Sequence, residues 1–285
     1  EIVTACQIRQ IFAKTNERSI DQFWRHSLAV GYFAKLLCLP ANPDEQSGPQ
    51  KTEFARFGLD EEQTALLQEV GMWKKFNLEP TDDPFTSGLL HDVGKITMVM
   101  ALEDSLELIT ALIDAEFQEQ KSEGKIWAHS VIEIERFLMK DVNHQSIGRH
   151  LAEKWELADS VRQVIGFHHD VQEQSPDLIK LVALANLAAS TLFPYPATEA
   201  QHPFPILFEK IGKDVKKKTA SSMSDAVVEV LSQDVFEDLV DVLTRLDIPT
   251  HIWEIVDFRT FFQLCYMVSP QIKSTTVGFL QQTGS

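Results

Sequence analysis

Apolar residues recur every three or four positions along most of the chain. In FWRHSLAVGYFAKLLC (Phe23–Cys38), Leu28, Phe33, Leu36 and Leu37 fall on one helical face. The same period returns in EEQTALLQEVGMWKKF (61–76), SLELITALIDAEFQEQ (105–120), SVIEIERFLMK (130–140), SIGRHLAEKWEL (146–157) and SVRQVIGFHH (160–169). No segment sustains the apolar–polar alternation, bounded by turn residues, that a β-hairpin requires. The pattern predicts an all-α fold.

Two stretches interrupt it. LPANPDEQSGPQKT (39–52) is rich in Pro, Gly and polar residues and reads as a surface loop or insertion. FPYPATEAQHPFP (193–205) holds four prolines, which cannot donate to a helix ladder and restrain the residue before them. A main domain is therefore expected over residues 1–195. A C-terminal helical lobe is expected over 196–285, where VVEVLSQDVFEDLVDVLTRL (227–246) carries Val, Leu and Phe at helical spacing. Those segments are expected to pack on the core rather than form a dimer face. There is no internal repeat.

Composition narrows the classes. With 285 residues and 44 % hydrophobic content, the chain can build a packed core and is not a disordered protein. Its net charge of −16, from 26 basic and 42 acidic residues, argues against DNA binding over the whole surface. KDVKKK (213–218) is the one dense basic cluster and reads first as a solvated loop or helix end. Cys6, Cys38 and Cys265 are far apart and none forms a CxxC pair, so reduced, mostly buried thiols in a cytoplasmic protein are expected. The longest apolar run, LVALANLAASTLF (181–193), contains Asn186 and is shorter than the roughly 20 residues that span a bilayer, so no membrane association is expected. The sequence opens on Glu1 with no signal-peptide pattern.

The chemistry concentrates in the nine histidines. His26, His91, His144, His150, His168 and His169 lie in order along the main domain, and acids directly follow two of them, giving His91-Asp92 and His169-Asp170. Neutral imidazole suits Fe, Mn, Zn or Ni, and a carboxylate can bridge two ions. Neighbours on a helix point about 100° apart, so an adjacent His and Asp reach one ion only at a helix edge or end. In GLLHDVGK (88–95), Lys95 lies three residues after Asp92 on the same helical side. It either pairs with an acid such as Asp92 or stabilises a phosphate oxygen. Gly94 permits close backbone approach beside the doublet. His129, His202 and His251 read as surface or hydrogen-bonded core residues, and His150 as packing or surface.

FWRHSLAVGYFAKLL, PFTSGLLHDVGKITMVMAL, NHQSIGRHLAEKWEL and VIGFHH, in that order, resemble the HDOD branch of the HD-domain superfamily over roughly residues 20–193. The resemblance implies an HD-like bundle of five to seven helices followed by further helices. EIVTACQIRQIFAK (1–14) resembles the end of the N-terminal helical part of such domains, most of which is expected upstream.

In catalytic HD phosphohydrolases the resemblance implies metal positions that align with His26, His91, Asp92 and Asn186. The fourth is a departure: ALAN stands where an active relative reads ALAD. A neutral amide keeps a carbonyl oxygen but loses the charge that offsets stripping water from a hard cation. HD-GYP phosphodiesterases add histidine ligands that align with His144, His168 and His169, but DVQEQSPD (170–177) replaces their Gly-Tyr-Pro segment. Were the site active, Asp92 would bridge two metals and Lys95 would serve the phosphate.

The resemblance thus implies a non-catalytic module of bacterial signal transduction that acts through protein or ligand binding. A divalent metal in a degenerate site, a nucleotide ligand, and signalling partners such as an upstream receiver-type domain are the expected associates. The alternative is a metal-dependent phosphohydrolase acting on a nucleotide or cyclic dinucleotide.

Overall fold

The computed structural model describes residues 17–38, 76–101, 115, 131–192, 269, 272 and 274. Seven helices run through these residues: α1 (Glu17–Leu37), α2 (Pro84–Leu90), α3 (Val93–Ala101), α4 (Val131–Leu138), α5 (His144–Lys154), α6 (Asp159–Phe167) and α7 (Asp177–Leu192). No strand occurs among the described residues, and the all-α expectation holds. The predicted loop at 39–52, the segments at 61–76 and 105–120 apart from Phe76 and Ala115, Cys6, Cys265, KDVKKK, His129, His202 and His251 lie outside the described residues. So does the proposed C-terminal lobe, apart from single positions such as the buried Ile272.

The helix starts are written locally. Asp83 caps α2, accepting from the Thr86 amide at 3.0 Å, and Pro84 takes the first helical position, where no N–H is needed. Asn143 caps α5 through a reciprocal box: it accepts from the Ser146 amide at 2.9 Å, while Ser146 Oγ accepts from the Asn143 amide at 3.1 Å. The turn before this cap passes through the left-handed region at Lys140 and Asp141. Asp177, in the first turn of α7, accepts from the Asn77 amide at 2.7 Å and ties the lead-in to α2 onto the start of α7.

Helix α1 packs on α2 and α7, α3 lies on α5, and α5 packs on α6, which also touches α2 and α7. Leu28, Phe33, Leu36 and Leu37 are all buried, as their shared face predicts. They join Phe23, Trp24, Phe85, Leu89, Val93 and Ile165 in removing apolar surface from water. Two glycine contacts set the helix spacing. A Cβ on Gly88 would stand 2.9 Å from the backbone of Gly31 and Val30, so α1 and α2 cross at backbone contact. A Cβ on Gly94 would collide with the His144 carbonyl and sit 2.8 Å from the Gly148 amide, so α3 rests against the backbone of α5.

Candidate metal centre

The doublet does not lie within a helix. Helix α2 ends at Leu90, His91 and Asp92 form the turn, and α3 begins at Val93. This junction lets two adjacent side chains serve one place. His91 and Asp92 are fully buried. Around them, α1 delivers His26, α5 delivers His144 from its first position, the end of α6 delivers His168 and His169, and α7 delivers Asn186.

The Asp92 carboxylate stands at the centre. Its Oδ1 lies 3.1 Å from His144 Nε2 and 3.4 Å from His168 Nε2. Its Oδ2 lies 2.6 Å from Lys95 Nζ, 3.3 Å from His91 Nε2 and 3.9 Å from His26 Nε2. Two donor groups therefore share this side chain: Asp92, His144, His168 and His169 on one side, and His26, His91 and Asp92 on the other. Within each, the donor atoms lie within 4.8 Å of one another.

Hydrogen bonds to oxygen fix which ring nitrogens carry protons. His91 Nδ1 donates to the Gly88 carbonyl at 2.7 Å. His168 Nδ1 points at the Val164 and Ile165 carbonyls, at 3.1 and 3.2 Å. His144 Nδ1 donates to Glu135 Oε2 at 2.8 Å. A carbonyl or carboxylate only accepts, so in each neutral ring Nε2 keeps its lone pair, and all three Nε2 atoms face Asp92. His26 is reversed: its Nε2 donates to Asn186 Oδ1 at 3.0 Å.

Burial and charge set the titration of these groups. Burial, followed by the neighbouring His91, pushes His26 down to about 3. Burial pushes His168 down to about 4. For Asp92, burial works upward, but the charges of His91, Lys95 and His144 outweigh it and hold the carboxyl well below its usual range. For His144, burial works downward, yet the Glu135 and Asp92 carboxylates raise it above the usual imidazole value.

This donor set suits a divalent cation. Neutral Nε2 lone pairs that converge on an anionic oxygen repel it unless a proton or a cation lies between them. His91 Nε2 and Asp92 Oδ1 are buried with no hydrogen-bond partner. Imidazole nitrogen with one carboxylate matches Fe, Mn, Zn or Ni. The two sides are unequal. The side holding His144 and His168 presents lone pairs, whereas on the other side an ammonium sits on Oδ2 and the His26 Nε2 proton points at an amide.

Two residues near the motifs stay out of the cluster, His150 in keeping with its reading as packing or surface. His150 is exposed on α5. Asp170, the acid of the second doublet, is exposed and pairs with Arg136 at 3.9 Å. Glu135, which no motif marks, enters the site through α4. In SVIEIERFL it follows Ile132 by one helical turn, a spacing that by itself does not mark an acid as buried.

The family model for the HDOD domain matches residues 44–171. Over those residues the chain is similar to the HDOD domain. The HDOD match includes His91, Asp92, His144, His168 and His169. His26 and Asn186 flank it and join the cluster through α1 and α7. A curated relative, an uncharacterised protein of Treponema pallidum (strain Nichols), is 33 % identical over 108 residues, which is 37 % of this chain and 19 % of the relative. The chain thus spans about a fifth of the length of that relative. No solved structure matches it. Among the described residues, no helix is long and apolar enough to cross a membrane.

Proposed function

We propose that this HDOD domain is a non-catalytic signalling or regulatory module that acts by binding a protein or a ligand. In this reading the domain extends to about residue 195, and residues 196–285 form a helical lobe beside it. Its partners are signalling proteins, such as a receiver-type domain, in the bacterial cytoplasm. The observation that carries the reading is the hydrogen bond from His26 Nε2 to Asn186 Oδ1. A two-metal hydrolytic centre needs His26 Nε2 as a lone-pair donor and a charged oxygen at position 186. This chain supplies a proton and a neutral amide.

His26, His91, Asp92, His144, His168, His169 and Asn186 are accordingly read as a degenerate metal site. Asp92, His144, His168 and His169 would hold one divalent cation, which would brace α3, α5 and α6 against one another. Lys95 neutralises Asp92 at 2.6 Å instead of standing ready for a phosphate.

One observation favours the alternative, a phosphohydrolase acting on a nucleotide or cyclic dinucleotide: two donor groups share one carboxylate, as a bridging ligand requires. The readings separate in one experiment. Purified protein and its Asp92→Ala variant are loaded with Mn or Fe, their metal is quantified, and they are incubated with cyclic di-guanylate, nucleotides and a generic phosphodiester. The module reading expects no turnover and at most about one cation per chain, lost in the variant. Phosphodiester cleavage that depends on Asp92 overturns it.

A further inference from the structure

We infer that Glu135 is the positioning residue for His144: it fixes the ring orientation and tautomer that aim Nε2 into the cluster. This rests on the reading of the cluster as a cation site. One oxygen, Oε2, receives two hydrogen bonds from the same residue, from the His144 backbone amide at 3.0 Å and from Nδ1 at 2.8 Å. The backbone bond satisfies one of the amides left unpaired at the start of α5, and the positive end of that helix favours the carboxylate there. The ring bond places the proton on Nδ1. Together they hold the imidazole at both ends, so its Nε2 stands 3.1 Å from Asp92 Oδ1 and 3.4 Å from His168 Nε2.

His144 is anchored differently from its neighbours. His91 and His168 are held by neutral backbone carbonyls, whereas His144 is held by a buried carboxylate. A negative charge behind an imidazole makes the ring a stronger donor, and loss of such an anchor typically lowers metal affinity by about 10- to 100-fold. Glu135 belongs to neither donor group, so it acts through His144 and not as a ligand.

Two variants of the full chain test this. Glu135→Gln keeps the size and one accepting oxygen but removes the charge. Glu135→Leu removes both. Calorimetric titration of metal-free protein with Mn or Zn should show affinity falling about 10-fold or more in Glu135→Gln, within the range for lost anchors. Long-range nitrogen-15 correlation spectra, recorded where the ring is neutral, should show His144 as the Nδ1–H tautomer in the native chain and a shift toward Nε2–H in Glu135→Leu. A native Nε2–H tautomer overturns the inference, whether or not either variant folds. So does affinity unchanged within about twofold in a folded Glu135→Gln. If the native chain takes up no cation, the cation reading of the cluster fails, and the tautomer spectra still decide the role of Glu135.

Discussion

His26 and Asn186 are 160 residues apart in sequence, and their side chains meet at 3.0 Å inside the helical bundle, Nε2–H to Oδ1. In the proposed reading, the contact converts a ligand position into a donor. An imidazole that gives its proton to an amide has no lone pair at that nitrogen for an ion. The amide also brings no charge to offset dehydration of the ion. A single side chain on α7 therefore weakens one side of the cluster and leaves the other intact.

Asn186→Asp should reopen that side. The carboxylate would accept from His26 or, with a cation present, join it as a ligand. Bound Mn or Fe, quantified by mass spectrometry after gel filtration, should rise from about one to about two per chain, the number a shared bridging carboxylate serves. Unchanged stoichiometry in a folded variant would show that the amide is not what limits the site.

Lys95 provides a second lever. Its ammonium lies 2.6 Å from Asp92 Oδ2, and its side chain is 26 % exposed while that of Asp92 is fully buried. Lys95→Met strands a buried carboxylate. Breaking such a pair typically costs about 3 kcal/mol or more, and the partial exposure of Lys95 points to the low end. Urea denaturation in chelator should report that loss, and added Mn should restore much of it, because the cation takes the place of the ammonium. Equal stability of the two proteins in chelator would rule out Lys95 as the neutralising group.

The helical period was legible wherever one face is buried: Leu28, Phe33, Leu36 and Leu37 line up in sequence and pack together in α1. The His91-Asp92 doublet and its Lys95 partner were legible because their relations are local, spanning one to three residues. Tertiary relations were not. Nothing in SVIEIERFL announces that Glu135 is buried while Phe137, an apolar residue two positions on, is 86 % exposed. That outcome depends on how α4 meets the start of α5. The second doublet divides for the same reason: past the end of α6, His169 turns toward the cluster and Asp170 away from it.

The contact between α3 and α5 can be tested at Gly94. A Cβ there would strike the His144 carbonyl and come within 2.8 Å of the Gly148 amide, both backbone atoms with no rotamer to yield. Gly94→Ala should destabilise the protein by about 3 kcal/mol, the upper part of the usual range for overpacking. Because α5 carries His144, cation affinity should fall as well. Calorimetric melting and metal titration of the same sample check both. A variant with native stability would mean that the helices separate without strain.

Stability of the metal-free protein should peak near pH 6.5 and fall on the acid side. His26 and His168 are held neutral, with folded values of about 3 and about 4 against an ordinary 6.5. Below pH 6.5 the unfolded chain binds a proton at each ring that the folded chain refuses. The loss approaches about 1.4 kcal/mol per pH unit per ring well below pH 6.5, or about 3 kcal/mol for the two rings from pH 6.5 to 5. His144 has the opposite sign. Its raised value adds stability that is complete below pH 6.5 and is lost as pH rises through the folded value, so it steepens nothing on the acid limb. Asp92 and Glu135, both lowered, stabilise the fold above their ordinary range, and their contribution is lost only under more acidic conditions. Urea midpoints in chelator at half-unit steps from pH 8 to 4.5 give the curve. A flat profile between pH 6.5 and 5 would mean that the two rings accept protons within the folded bundle, so that they would not be held as neutral side chains at the centre of this site.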